Sequence, residues 1–222
     1  MKQSVRSVML LGLCVILIGS LFGCSGKKKQ ELLQVEECKT QAVDYYALVN
    51  PYYYKLKDYV SYMQQADQQF STREFSAEDL ASVGYEGGTY GLLLGAMTGD
   101  QESVEEAMGN LYDEYVMQPA YVQYSVMFEE MMDDNNAVNQ QYDQFNMAKP
   151  VVEVDEYGIE DLQYAVDAMQ QAWMTVYDCA FDTDGYVVDV QNGYVSALTA
   201  AYENFQDALL GLEKFVPNDS NN

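Results

Sequence analysis

The sequence predicts an all-α protein that folds as a single bundle of about five helices. Along most of the chain, apolar residues recur at alternating spacings of three and four, the period of an amphipathic helix with one buried face. Apolar residues make up 49% of the 222 residues, which is enough for a packed core. The chain has four prolines, and one short run, Val151 to Val154, has the composition of a strand.

The first 23 residues have the features of a secretory signal rather than of a folded helix. Lys2 and Arg6 provide a charged start, an apolar run extends from Val8 to Ile18, and small residues follow. The run is shorter than the roughly 20 residues that a membrane-spanning helix needs. Residues 1–23 are therefore predicted to be a cleaved signal peptide.

This segment leads into Leu21-Phe22-Gly23-Cys24, which resembles the lipobox of bacterial lipoproteins, Leu-x-Gly-Cys. The resemblance implies cleavage of the Gly23–Cys24 bond and attachment of a diacylglycerol, with fatty acids such as palmitate, to Cys24. Two acyl chains anchor a protein stably at a membrane surface. The start Cys24-Ser25-Gly26-Lys27 is similar to those of Gram-positive lipoproteins, which implies the outer face of the cytoplasmic membrane. Beyond this segment the sequence resembles no particular family.

Residues 24–30 are predicted to be a short tether, residues 31–216 the helical domain, and residues 217–222 a disordered tail. Asn50-Pro51 interrupts the first helical pattern without changing its phase. This stretch is therefore either one kinked helix or two nearly collinear helices, ending near Ser71. The periodic positions are Val35, Cys38, Ala42, Tyr45, Val49, Tyr52, Leu56, Tyr59, Met63, Ala66 and Phe70.

A glycine-rich segment follows a capping-box-like start at Ser76 to Asp79. Gly87, Gly91, Gly95 and Gly99 repeat every four residues without a charge between them, although each glycine costs a helix up to ~1 kcal/mol relative to alanine. Steps of four residues keep these glycines in one smooth groove, so we expect a central glycine-rich helix with a neighbouring helix packed in that groove. The alternatives are a groove presented to a second molecule and a glycine-rich loop.

The second half of the chain predicts three more helical stretches. Residues 102–134 have a helical pattern that Pro119 divides, with Val104, Met108, Leu111 and Tyr115 before the proline and Tyr121, Tyr124, Phe128 and Met131 after it. Residues 133–158 are polar and rich in Asn and Gln, which predicts a long loop that either covers the bundle or forms its working surface. Two final helices have apolar seams from Ile159 to Ala180 and from Val195 to Val216.

Composition excludes several functional classes. Loss of residues 1–23 leaves 9 basic and 35 acidic residues, a balance of −26 that repels nucleic acid and anionic lipid headgroups. The cluster Lys27-Lys28-Lys29 is the exception, and its place beside the anchor lets it face phospholipid. The chain has no histidine, so the usual general base, the usual zinc ligand and the Ser-His-Asp arrangement are absent. We expect neither an enzyme nor a bound cofactor.

Three candidate chemical features are weak. Asp182-Thr183-Asp184-Gly185 resembles part of a calcium-binding EF-hand loop, but the first and last ligand positions lack carboxylates, so a turn is predicted. A cluster at the end of a helix is interpreted as a solvated face: Glu129, Glu130, Asp133 and Asp134. Cys38 and Cys179 lie near apolar helix stripes and are predicted to be thiols.

The twenty tyrosines provide the main candidate binding surface. Tyr45, Tyr52 and Tyr59 fall on the predicted seam and are expected in the core, whereas Tyr46, Tyr53, Tyr54 and Tyr62 fall off it. The sequence thus predicts a membrane-anchored, non-catalytic module that binds or scaffolds an envelope protein. The alternative is a protein that binds a solute or a cell-wall glycan through the exposed tyrosines.

Overall fold

The computed structural model describes residues 25–85, 101–150, 157–181 and 193–216. Cys24, the glycine-rich segment 87–99, the strand-like run 151–154, the turn at 182–185 and the tail 217–222 lie outside these residues. The helices are α1 (Ser25–Val49), α2 (Tyr52–Ser71), α3 (Ala77–Ser82), α4 (Gln101–Tyr112), a π-helical turn (Asp113–Met117), α5 (Gln118–Ala148), α6 (Ile159–Phe181) and α7 (Tyr194–Glu213). Five of them have 20 residues or more, which confirms an all-α bundle of about five helices.

The apolar positions of the first helical pattern, hereafter the first seam, are buried as their spacing predicts. All of its residues from Val35 to Met63 are buried, on both sides of the break at Asn50-Pro51. The Asn50 amide still donates to the Tyr46 carbonyl, but the Tyr53 amide donates to the Asn50 carbonyl three residues back, so the α-helical ladder is interrupted at Asn50-Pro51. Helix α1 already begins at Ser25, which makes the described part of the predicted tether helical.

The capping box at Ser76 is confirmed. The Asp79 amide donates to the Ser76 hydroxyl oxygen over 3.1 Å, and the Ser76 amide donates to the Asp79 carboxylate over 2.8 Å. The Tyr115 hydroxyl also donates to that carboxylate over 2.6 Å. These donors, with the Tyr115 hydroxyl contributing most, lower the pKa of Asp79 to about 2. The short helix α3 is thereby fastened to the π-helical turn.

Pro119 lies where the next helical stretch divides, as the sequence predicts. It occupies the first turn of α5, and a π-helical turn separates α5 from α4. A π-turn accommodates an extra residue, which changes the helix phase at this point. Val116 and Met117 are consequently buried, whereas Tyr115 is only half-buried. The backbone kink lies at Tyr124, whose φ and ψ are −108° and 15°.

The prediction of a long loop over residues 133–158 is wrong for its first part, because α5 continues to Ala148. Val138 and Phe145 of this polar stretch are fully buried, seven residues apart on one face. Asn135 and Asn139 accept hydrogen bonds from the Trp173 indole N–H over 2.9 Å and from the Gln170 amide over 2.7 Å. The side-chain amides of Asn135 and Asn139 therefore form hydrogen bonds across the interface between α5 and α6, although the sequence predicted a loop here.

Helix α5 runs antiparallel to the leg formed by α1 and α2. The Tyr45 ring lies 6.4 Å from that of Tyr142, and the Tyr59 ring lies 5.2 Å from that of Phe128, both measured between centroids. Residue numbers thus fall along α5 as they rise along α1 and α2. The two elements also exchange polar contacts, because the Gln141 amide donates to the Gln41 side-chain oxygen over 2.6 Å.

Helices α6 and α7 complete an up-down-up-down bundle. Tyr142 of α5 donates to Asp167 near the start of α6, and Phe128 meets Phe181 at its end, so these two helices are antiparallel. Helix α7 returns along α6 and α2, with the Gln64 amide donating to Thr199 over 3.0 Å. The predicted seam of α6 is buried throughout: Ile159, Leu162, Val166, Met169, Trp173, Val176 and Ala180.

The core of the described residues is wholly apolar, since no polar or charged residue there is fully buried. Cys38 is part of this core, and burial raises the pKa of its thiol. No disulfide joins Cys38 to the half-buried Cys179, which agrees with the prediction of two thiols. Among the described helices, none combines the length and the apolarity that crossing a bilayer requires.

Candidate functional site

The three seam tyrosines are core residues, as the sequence predicts, with polar tips that find partners. The Tyr45 hydroxyl donates to Gln170 Oε1 over 2.8 Å, and that of Tyr52 donates to Asp134 Oδ2 over 2.7 Å. The Tyr59 hydroxyl lies 3.2 Å from the Tyr194 hydroxyl. Burial raises the pKa of Tyr45 and of Tyr52 well above the usual value near 10, and for Tyr52 the bond to Asp134 adds to the effect.

Three of the four off-seam tyrosines lie together where α7 passes the junction of α1 and α2. The Tyr53 ring packs edge-on against Tyr54, with centroids 4.9 Å apart, and lies 6.2 Å from the Tyr202 ring. Tyr54 is 71% exposed. Burial raises the pKa of Tyr46, and the nearby Glu213 carboxylate and Tyr54 raise it further. Tyr54 is the exposed member of this group, whereas Tyr46 and Tyr53 are half-buried and pack against the core.

Tyr62 lies on the opposite flank. It follows Tyr53 by nine residues, which turns a helix by about 900°, or half a turn beyond two full ones. Its ring packs edge-on against Tyr124, with centroids 5.5 Å apart. Tyr62 also lines a small cavity of about 150 Å³ beside Arg73 and Tyr115, where the Arg73 guanidinium stacks 3.8 Å from the Tyr115 ring centroid. The four tyrosines therefore form two separate surfaces.

The acidic cluster of α5 is divided among local contacts. Glu130 forms an ion pair with Lys55, and Asp134 accepts the hydrogen bond of Tyr52. Glu129 and Asp133 are exposed. Within the described residues no group of three or more His, Cys, Asp or Glu side chains converges as a metal site would require. The cluster thus has the arrangement of a partly paired helix surface.

An open groove of about 730 Å³ runs between α6 and α7. Its wall on α6 extends from Asp161 to Thr175, about 21 Å at the helical rise of 1.5 Å per residue. Small residues form its floor: Ala165, Ala168, Ala172, Ala208 and Gly211. Tyr164, which is 79% exposed, and Phe215 stand at one end. Polar side chains line the rim: Asp161, Gln171, Asn204, Asp207 and Lys214.

Gly211 has a particular place in this groove. It lies inside helix α7, where glycine costs roughly 1 kcal/mol relative to alanine. A Cβ atom at this position would have no neighbouring atom within 4 Å, so close packing inside the bundle does not require the glycine. Its effect is to leave the groove open down to the helix backbone.

The groove does not follow from the buried faces of the helices, because it is formed by their outer sides. A signal was present in the residues that lie off the seam. Ala165, Ala168 and Ala172 follow one another at spacings of three and four on α6, and Ala208 and Gly211 do so on α7. Small residues with helical spacing indicate a surface that another group can approach closely. Only the pairing of α6 with α7 brings the two sets together.

Comparison with protein-family models, with curated proteins and with solved structures gave no significant match.

Proposed function

We propose that this protein is an extracytoplasmic lipoprotein, anchored through a diacylglycerol on Cys24, whose helical bundle is a non-catalytic module that binds or scaffolds a partner in the cell envelope. The lipobox supports the anchor. The groove between α6 and α7 is the observation that supports binding, because an open concavity of about 730 Å³ lined by small residues is a surface that another molecule can approach closely. Gly211 keeps it open at a cost to helix stability.

The second candidate function is binding of a solute or a cell-wall glycan by exposed tyrosines. It rests on the surface formed by Tyr46, Tyr53 and Tyr54, where one ring is largely exposed and another is held by Tyr202 and by the Gln206 amide. Rings fixed by such contacts lose little conformational freedom when a ligand stacks on them. A loss of polymer binding in Tyr54→Ala, with the groove intact, would favour this function.

Replacement of the anchoring cysteine tests the location. Cys24→Ser removes the thiol that the diacylglycerol would modify, so we expect an uncleaved precursor that no longer partitions into the detergent phase. Cys38→Ser is the matched control, because Cys38 is buried in the bundle and its replacement should leave acylation unchanged. Equal detergent partitioning of Cys24→Ser and the parent protein would contradict the proposed anchor.

Filling the groove tests the binding function. Gly211→Leu places a side chain in open space, so we expect unchanged or slightly higher thermal stability, since leucine favours a helix by up to about 1 kcal/mol over glycine. A photoreactive phenylalanine analogue in place of Tyr164 should crosslink the partner in whole cells, and Gly211→Leu should abolish the adduct.

Ala200→Leu is the control for this experiment, because Ala200 is an exposed residue of α7 outside the groove. It should leave the adduct unchanged. An adduct that survives Gly211→Leu would contradict the groove as the binding site, and an adduct to glycan polymer instead of protein would favour the second candidate.

A further inference from the structure

The start of α1 projects beyond the described part of the bundle. The helix begins at Ser25, and from Lys28 onward its first buried residue is Val35. Of residues 28–34, all but the half-buried Glu31 are exposed. The residue that follows α5, Lys149, acts electrostatically on Cys38, which places the end of α5 level with that part of α1. Residues 25–34, hereafter the stalk, thus extend about 15 Å at the helical rise.

One side of the stalk is both basic and apolar. At about 100° per residue, Lys28, Leu32, Lys29 and Leu33 lie within an arc of about 140° around the helix axis. Leu32 is 42% exposed and Leu33 is 47% exposed, and both lysines are exposed. The opposite arc carries Gln30, Glu31 and Gln34. Isolated exposed leucines are common on protein surfaces, but two beside two lysines form an amphipathic face.

This face does not point toward the bundle. The buried seam of α1, which includes Val35, Cys38 and Ala42, is centred about 130° away around the axis. The helices that pack on the seam therefore cannot cover Leu32 and Leu33. Farther along the same face, Lys39 adds a third basic group, and Glu36 is its one carboxylate between residues 28 and 40. The face is thus basic on a chain whose net charge is −24.

We infer that the Lys28, Lys29, Leu32 and Leu33 face of the stalk lies on the surface of an anionic phospholipid bilayer. The inference rests on the proposed lipid at Cys24, which would hold Ser25 at the membrane. Lysine side chains near an anionic surface are attracted to its headgroups, while leucines enter the boundary between headgroups and acyl chains. A second protein would have to reach the same residues within about 15 Å of the bilayer, where the lipid surface is already present.

The consequence is a defined orientation. A helix that lies along the bilayer with this face down directs its opposite side, and with it the acidic bundle, away from the negatively charged surface. The lipid would then hold the protein in place, and the stalk would set which side of the bundle the envelope partner meets. An anchor without the stalk contact would leave the bundle free to rotate.

Tryptophan quenching tests the contact. The acylated full chain would be reconstituted into vesicles of phosphatidylcholine and phosphatidylglycerol with brominated acyl chains, which quench indoles at the acyl boundary. The single native Trp173 is fully buried and provides a constant background. Leu33→Trp should add an emission that falls about twofold in brominated vesicles, because interfacial helices bury their apolar face ~5–10 Å deep. Tyr54→Trp, at an exposed ring of α2, is the control and should remain unquenched.

A charge variant completes the test. Lys28→Gln should reduce the affinity of a non-acylated chain, produced with Cys24→Ser and without residues 1–23, for anionic vesicles by about fivefold, whereas the exposed Lys57→Gln on α2 should not change it. If the acylated protein floats with vesicles while the indole of Leu33→Trp is unquenched, the stalk contact is refuted and the anchor stands. If the parent protein is not acylated at all, both proposals fail.

Discussion

Trp173→Ala is expected to lower the free energy of unfolding by about 3–5 kcal/mol, the range for truncation of a large aromatic residue in a core. Trp173 is fully buried at the centre of α6. Its ring packs edge-on against Tyr52, with centroids 5.0 Å apart, and lies 6.4 Å from that of Phe205. It thus joins α6 to the first leg of the bundle and to α7, so its removal leaves a cavity at their meeting point.

The loss has a polar component as well. The Trp173 indole N–H donates to Asn135 Oδ1 over 2.9 Å, and this bond connects α6 to the polar part of α5. Leaving the partly buried Asn135 oxygen without its donor costs ~1–3 kcal/mol. The range of about 3–5 kcal/mol for truncation of the ring includes only part of this cost. Trp173→Phe should therefore be less harmful than Trp173→Ala, because it keeps most of the ring volume and loses mainly the hydrogen bond.

Urea unfolding followed by helical circular dichroism would measure both variants. Tyr164→Ala is the matched control, since Tyr164 lies on the same helix but is largely exposed, and its change should stay within about 0.5 kcal/mol. A typical domain is stable by only about 5–15 kcal/mol, so Trp173→Ala should shift the urea midpoint markedly. A midpoint shared by Trp173→Ala and Tyr164→Ala would contradict the described core.

The second large effect is cooperative unfolding in alkali. Burial raises the pKa of Tyr45, Tyr52 and Tyr112 well above the usual value near 10. Burial also raises the pKa of Tyr202 to about 12, with a further contribution from Tyr53. The folded chain therefore holds these phenols neutral at pH values where the unfolded chain ionises them.

The sign follows from linkage. A group with a raised pKa in the fold stabilises it fully below the unfolded pKa, here near 10, and this stabilisation is lost as the pH rises through the folded pKa. Because all of these tyrosines shift in the same direction, their losses accumulate above pH ~10. We expect the bundle to unfold in one transition, in which phenolate absorbance at long ultraviolet wavelength rises as helical circular dichroism falls.

Single ring-preserving changes sharpen this test. Tyr45→Phe removes one buried phenol and should make the loss of stability with pH less steep, although its hydrogen bond to Gln170 is lost at every pH. Tyr54→Phe, at an exposed ring, should leave the transition unchanged. Gradual appearance of phenolate with the helical signal intact would show that the tyrosine tips are not held as described.

The helices and their buried faces could be predicted from the sequence because helical periodicity is a local property. Apolar residues three and four positions away predict that Tyr45 and Trp173 lie on the buried face of their helices. Both side chains are fully buried in the structure. The capping box at Ser76 was predictable for the same reason, since both of its hydrogen bonds span three residues. The proposed lipobox likewise rests on four contiguous residues.

The tertiary structure decided what depends on partners far along the chain. Asn135 and Asn139 belong to a helix because Trp173 and Gln170, more than 30 residues later, donate to them, and no local pattern shows that. Tyr53 and Tyr62 lie on opposite flanks of α2, which face different helices. Tyr53 contacts Tyr202 of α7, whereas Tyr62 contacts Tyr124 of α5. The groove exists only because α6 and α7 pair side by side. The sequence by itself determined the all-α fold and the buried faces of the first and last helices, whereas packing between distant helices determined the second half of α5 and the surfaces that remain for binding.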